Sequence, residues 1–442
     1  MKSIHKRLLA NGIVPYWPLS DGWDDEEWCR WDKVVAIIAG LVTSEYAATV
    51  VPQVYMMLPL MILIPVFFMN LRYFDWPYGI FWLIYSFILI GIAMLSTLAA
   101  SERELRGLVF AISCFSPFIL LAFTPRPTAK FMKLFCCVAL IRVGWVYFNV
   151  LKSGEIGPWT LPPFPGFNGA HLNMLWPLLM ALSLNESGSS KTMLRLLGVA
   201  AMIATFLVFS RAGLYILIST ACILLARKNT RLFFVVVFLV VTTVLLAPGW
   251  LVERFYDFLA WYRIIDYESE NPRSLIWGIA EQVFQNHLFW GVGPGNAKFY
   301  LYGAKQYYEA HNLILHVALE NGAIAGFLMA VFLIYLVILV VRLVMAGNEG
   351  PFIAVALSAF VVQSMAEAYT NQPAQIVMTA LTVAYGRSLL RRSRAPDGEI
   401  CLSVLAGSVQ SASDFNKKTS FTSPQSPGEV SWSLASSARP ML

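Results

Sequence analysis

Apolar residues run in long unbroken stretches along most of the chain, separated by short polar breaks. Read through a window of about 19 residues, these stretches predict helices at 34–51, 54–69, 78–100, 107–123, 131–151, 170–184, 194–209, 212–226, 231–247, 323–344, 352–370 and 373–390. Runs near or above about 18 residues are what 30 Å of hydrocarbon demands at 1.5 Å per helical residue. The pattern therefore predicts an all-α, polytopic integral membrane protein of about 12 transmembrane helices. Residues 1–33 read as a cytosolic leader, because Asp24, Asp25, Glu26 and Glu27 stand where the apolar core of a signal peptide would lie. Residues 34–392 form the membrane domain, and 393–442, rich in Ser, Pro and Gly, read as a disordered cytosolic tail.

Composition agrees with the pattern. Hydrophobic residues make up 58% of the 442 and charged residues 13%, against roughly 25% charged in a soluble domain. The net charge of +6 is spread over short loops and forms no basic face, so nucleic acid is excluded as a partner. The six cysteines show no CxxC or zinc spacing and read as small buried hydrophobes.

The positive charges instead set the orientation, because Lys- and Arg-rich loops stay in the cytoplasm. With both termini inside, the cytosolic loops hold Lys130, Lys133, Lys191, Arg195, Arg342, Arg387, Arg391 and Arg392 among others. The outward loops keep only Arg103 and Arg106 beside Glu102 and Glu104, then Lys152 and Arg211. That topology turns 248–312 into one outward, periplasmic loop of roughly 60 residues, a length that marks function or disorder. Its aromatic density, from Trp250 to Trp290, argues against disorder. Within it Leu275, Ile276, Ile279, Val283 and Phe284 fall at helical spacing, which predicts an amphipathic helix over 273–287 lying on the membrane surface.

Charges at membrane depth are costly and mark candidate sites. Arg211 opens a predicted helix on the outward side, where it either snorkels to the headgroups or serves chemistry. Arg142 lies inside the run 131–151 and either pairs with Glu45 or Glu367 or contacts substrate. Arg273 follows Pro272 at a helix start, a mild attractor of anions. Gly291-Val292-Gly293-Pro294-Gly295-Asn296 lacks the Lys-Ser/Thr of a phosphate loop and reads as a tight turn. His311 and His316, five apart, are badly spaced for a shared metal, and no His-Glu-x-x-His pattern exists. A lone His311 at the end of a polar loop suits general-base work.

Taken in order, Ser210-Arg211-Ala212-Gly213, Arg273-Ser274-Leu275-Ile276-Trp277, Gly291 to Gly295, Ala310-His311-Asn312 and Leu319-Glu320-Asn321-Gly322-Ala323-Ile324-Ala325-Gly326 resemble the O-antigen ligase and Wzy polymerase superfamily. The resemblance covers residues 200–345 and implies a GT-C-like membrane glycosyltransferase of the bacterial inner membrane. It implies transfer of a glycan from undecaprenyl diphosphate to an acceptor hydroxyl at the periplasmic face, the acceptor being lipid A-core or another glycan, with membrane lipids as surroundings. It implies no metal, cofactor or nucleotide sugar. The family's essential groups map onto Arg211, Arg273 and His311 as catalytic residues. Asn312, Glu320, Arg142 and His171 complete the expected substrate contacts. One departure stands out: the stretch from Leu161 to Asn173 carries no Arg or Lys, and only Lys152 lies upstream. A ligase, a polymerase and a flippase of the same lipid-linked glycan all remain open, although the internal repeats usual in transporters are not seen.

Overall fold

A 22-residue apolar helix has nowhere to hide all its side chains in a chain this size, so its packing shows what solvent it was built for. The computed structural model describes residues 30–44, 74, 78–100, 105–122, 129–154, 168–207, 216–218, 220, 231, 234–235, 238, 272–301, 310–366 and 373–392. These form α1 (Arg30–Ser44), α2 (Tyr78–Ala99), α3 (Leu105–Phe115), α4 (Ala129–Ala139), α5 (Ile141–Ser153), α6 (Asn168–Ser183), α7 (Gly188–Leu207), α8 (Pro272–Asn286), α9 (Ala297–Leu301), α10 (Leu313–Val344), α11 (Gly350–Ala366) and α12 (Pro373–Arg392), with no strand among the described residues. Among the described residues, four stretches are long and apolar enough to cross a bilayer: Tyr78–Ala99, Leu105–Ala122, Ala129–Lys152 and Leu313–Val344. Apolar helices at Lys33–Ser44, Leu172–Ser183 and Gly350–Met365 are shorter. Most of the expected spans at 54–69, 212–226 and 231–247, together with the leader before Arg30 and the tail from Ser393, lie outside the described residues.

On α2, Phe81, Ile84, Phe87, Ile88, Met94, Leu95 and Leu98 are exposed, and on α10 so are Ile324, Phe327, Ile334, Val337, Ile338 and Val341. Apolar faces of that extent on a monomer belong against lipid. The protein is a membrane protein.

The buried faces of α2 and α10 meet antiparallel. The Tyr78 hydroxyl donates to the Tyr335 hydroxyl at 2.7 Å, and the Tyr85 hydroxyl to Leu328 O at 2.7 Å. Nearer the other end, the Ser96 hydroxyl reaches Glu320 O at 2.7 Å. Through the middle of this contact Phe332 meets Trp82, Phe118 and Phe360 edge-on, its centroid 4.7 Å from that of Phe118, while Trp82 and Phe118 lie nearly parallel. At the Tyr78 end, Arg387 of α12 lies 3.8 Å over the Tyr78 ring and donates to Leu121 O at 3.1 Å. Lys133 pairs with Glu186 in the turn between α6 and α7, and this hydrogen bond, with a second from Ser190, holds the Glu186 carboxyl below its usual range. Arg342, Arg387 and Arg391 thus gather at one end of the bundle, and α8, α9 and the start of α10 stand at the other.

Several expected helices differ in detail, among them 131–151, which is two helices, α4 and α5, and 194–209, which begins at Gly188. The run 107–123 is α-helical only to Phe115 and continues as a 3₁₀ segment, Ser116–Ala122. Pro117 has no N–H and crowds the preceding turn; across the bundle the Phe115 carbonyl accepts from the Ser86 hydroxyl at 2.9 Å. The last predicted helix, 373–390, extends over Pro373–Arg392 and is enclosed almost all round, from Ala374 to Tyr385. Its polar residues are hidden rather than facing lipid. Thr379 and Thr382 donate back to the carbonyls four residues earlier, each at 2.7 Å.

The helix expected at 323–344 begins ten residues earlier, at Leu313, and holds one non-helical residue, Gly322, at φ 84° and ψ 174°. That backbone region is open essentially to glycine alone. The 22 residues beyond the break cross a membrane by themselves, at about 1.5 Å each, so Leu313–Asn321 is a separate outer half-helix. Its length escaped the hydropathy window because His316, Glu320 and Asn321 dilute it.

An added Cβ at Gly322 would lie 2.0 Å from the Phe289 carbonyl oxygen, whereas at Gly91 it would meet nothing within 4 Å. Gly322→Ala is expected to lower the melting temperature in detergent, the backbone term alone costing about 1–3 kcal/mol. Gly91→Ala should leave it unchanged or slightly raised.

Candidate functional site

Breaking a helix inside an apolar bundle strands backbone groups, and the position of their new partners defines this site. Without an intact turn at Gly322, the carbonyls of Leu319 and Glu320 and the Ala323 N–H need outside partners. The chain after α8 supplies them. Val292 N–H donates to Leu319 O at 2.9 Å, Gly293 N–H to Glu320 O at 2.9 Å, and Ala323 N–H to Leu288 O at 2.8 Å. Gly291, Gly293 and Gly295 all adopt positive φ. At Gly291 a Cβ would press on the Glu320 carbonyl, and Gly107 at the start of α3 sits so close to Pro294 O that a side chain would overlap it. The glycine run is a turn fitted to a broken helix. Its N–H groups are spent on the carbonyls of His287, Leu319, Glu320 and Gly293, and the Gly295 N–H on the Glu320 carboxylate at 3.0 Å. None is left to cradle a phosphate.

Glu320 is therefore a structural acceptor. Its carboxylate is buried, 6% exposed, with the Gly295 N–H on one side and His316 Nε2 3.7 Å away.

At the other end of the half-helix, Asn312 is the N-cap. Its side-chain oxygen accepts from Leu315 N–H at 3.0 Å and its amide donates to Met365 O at 3.4 Å. His311, just before the cap, sits at φ 48°, the left-handed region that His enters more readily than most residues. The preceding carbonyl, Ala310 O, accepts from the indole of Trp277 at 2.8 Å. Trp277 lies one turn beyond Arg273 on α8, so this bond ties the first turns of α8 to His311.

The expected surface helix 273–287 is α8, Pro272–Asn286, with Pro272 at its first position as anticipated. It is more than a surface float. Ile276 and Ala280 are enclosed with Val292, Ala297, Leu301, Ala310 and Leu319 in a small core of their own, because the half-helix offers them an apolar wall. Trp277, Leu288, Phe289, Trp290 and Phe299 stay exposed on the outer side. Between α8 and α10 runs an open groove of about 530 Å³, lined by Trp277, Phe284, Asn312, Leu315, Phe327 and Ala330 among others. It passes from the N-cap across the break and down the lipid-facing helix.

The structure thus joins His311 and Asn312 to the helix that carries Arg273, whose side chain lies outside the described residues, as does the whole of Arg211. Arg142 is elsewhere. It is buried, 4% exposed, on α5, which packs chiefly on α1, α4 and α7; Glu45 and Glu367, its suggested partners, lie outside the described residues. His171 is in the first turn of α6, its side chain undescribed. No group of three or more His, Cys, Asp or Glu converges among the described residues. Sequence reasoning passed over Trp277 as a tether and Ser96 altogether. Trp277 offered only its place in an aromatic-rich segment, and a serine in an apolar helix offers no pattern at all.

A family model described as O-antigen ligase matches residues 196–331. That stretch holds Arg211, Arg273, His311, Asn312, Glu320 and the break at Gly322, and leaves out Ser96, Arg142 and His171. No curated protein matches the chain. Residues 196–331 are thus similar to the O-antigen ligase family, the one that the motifs at Arg211, Arg273 and His311 resemble.

Proposed function

We propose that this protein transfers a glycan from undecaprenyl diphosphate to an acceptor hydroxyl at the periplasmic face of a bacterial inner membrane, with lipid A-core as the acceptor. The observation that carries this reading is the apolar groove that starts at Asn312, beside His311, and continues along α10 toward the membrane. A long prenyl chain lying in that groove leaves its diphosphate at the N-terminal ends of the half-helix and α8, where helix dipoles favour anions. Lys and Arg gather at the opposite end of the bundle, at Lys133, Arg195, Arg342, Arg387 and Arg391, which supports a cytosolic location for that end and for both termini.

In the reaction the acceptor hydroxyl attacks the anomeric carbon of the glycan. The new glycosidic C–O bond forms, the bond to the diphosphate breaks, and undecaprenyl diphosphate leaves with the electron pair. His311 takes the hydroxyl proton as general base. Arg273 and Arg211 balance the charge growing on the diphosphate, the work that guanidinium groups do well through paired hydrogen bonds. Asn312, with both ends of its amide engaged, positions His311.

Purified protein given lipid-linked glycan and lipid A-core should form the covalent product, and continue to do so in EDTA. His311→Ala and Arg273→Ala should keep the wild-type melting temperature and lose at least about 10²-fold in rate; full activity in both would refute the assignment. Product made only with a second repeat unit as acceptor would identify a polymerase, and no covalent product with either acceptor would identify a flippase.

Ala330→Trp fills the groove's membrane end. It should raise KM for a full-length prenyl donor several-fold, with little change for a donor truncated to two or three prenyl units, as read from initial rates with the two donors.

A further inference from the structure

Hydroxyls buried in these helices mostly bond to their own backbone. Thr43, Thr97, Thr205, Thr220, Ser364, Thr379 and Thr382 each donate to the carbonyl four residues earlier. Ser96 does otherwise. Wholly buried in α2, it directs its hydroxyl across the bundle to two carbonyls, Trp290 O and Glu320 O, the latter at 2.7 Å. One belongs to the turn after α8 and the other to the last residue but one of the outer half-helix, 194 and 224 residues away in sequence. A single O–H serves one acceptor at a time, so the second is held by proximity and by its other donor, Gly293 N–H for Glu320 O.

The spacing of the α2–α10 contacts shows what this joint sets. Between the Tyr85 and Ser96 contacts α2 advances 11 residues while α10 recedes only 8. At about 1.5 Å per helical residue the eight would fall short by about 4.5 Å, and the extended residue Gly322 takes up part of the difference. Ser96 thus fixes how far the half-helix stands out from the membrane-crossing part. The N-terminal end of that half-helix carries Asn312 and His311.

We propose that Ser96 is a positioning residue: by clasping the C-terminal end of Leu313–Asn321 it sets the height and tilt at which His311 is presented. The inference rests on the transferase reading for its kinetic part only. A shift of about 1 Å in a reacting group can cost on the order of 10²-fold in rate, and Ser96→Ala removes the clasp without touching the groove.

The test compares Ser96→Ala, Ser96→Thr and Thr97→Ala in full-length protein. Thr97→Ala deletes the neighbouring buried hydroxyl, which bonds only its own helix. Two readouts are taken: steady-state transfer, and amide hydrogen exchange of residues 313–321. Ser96→Ala should lose roughly ten- to a hundredfold in kcat with KM for the lipid donor within twofold, and residues 313–321 should exchange faster. Thr97→Ala should match wild type in both, and Ser96→Thr should recover most of the rate. Wild-type kcat and exchange in Ser96→Ala, or equal losses in Ser96→Ala and Thr97→Ala, would overturn the proposal. If Ser96→Ala does not yield folded protein, Ser96→Cys, which keeps the shape and weakens the donor, is judged by the same criteria. Wild-type protein that makes no covalent product refutes the transferase reading, while the exchange data still decide the clasp.

Discussion

A peptide group buried among packed helices finds no water to bond, so every interruption of such a helix must bring its own replacement partners. In this protein that requirement falls on a few atoms around Gly322. The Leu319 and Glu320 carbonyls and the Ala323 N–H are taken over by Val292, Gly293 and Leu288, and Ser96 closes the arrangement from a distant helix. The rest of the outer end follows from it. The turn at 291–295 has glycine where it has because a side chain there would strike the half-helix. Helix α8 is held over α10 because the same turn ends it. The groove exists because α8 is held there.

The site is thus made of backbone as much as of side chains. His311 owes its place to a left-handed residue before an N-cap, to the Trp277 indole beneath Ala310, and to a half-helix anchored at both ends. Such an arrangement leaves the backbone at His311 little freedom. Anchoring each end by different elements, α8 and α11 at one and α2 at the other, lets small side chains far from any substrate control geometry.

Local signals carried the sequence reading where they were strong. An unbroken apolar run gave 78–100 against the observed Tyr78–Ala99, and Pro272 with helical apolar spacing gave α8 to within a residue at each end. The glycine-rich segment was legible as a turn because no Lys-Ser/Thr follows it. What the sequence hid was long-range. Hydropathy averages over a window, so a half-helix containing His316, Glu320 and Asn321 read as a lead-in to α10 rather than part of it. Periodicity assigns faces within one helix and says nothing about which distant carbonyl a serine meets. Glu320 stands in a motif with His311, and the sequence did not show that its carboxylate accepts from Gly295. The low hydropathy of α12 disguised how fully it is enclosed, its threonines spending their hydroxyls on their own backbone.

The separation of Ser96 from Glu320 also bears on how the chain matures. A ribosome delivers α2 more than two hundred residues before the segment it must grip. Through that interval α2 waits in the bilayer with a hydroxyl that has no distant acceptor yet, and α10, once it arrives, carries bare carbonyls until the turn after α8 folds back. The Ser96–Glu320 joint therefore cannot form until α10 has been made. A polypeptide cut short before α10 has no partial version of it to offer.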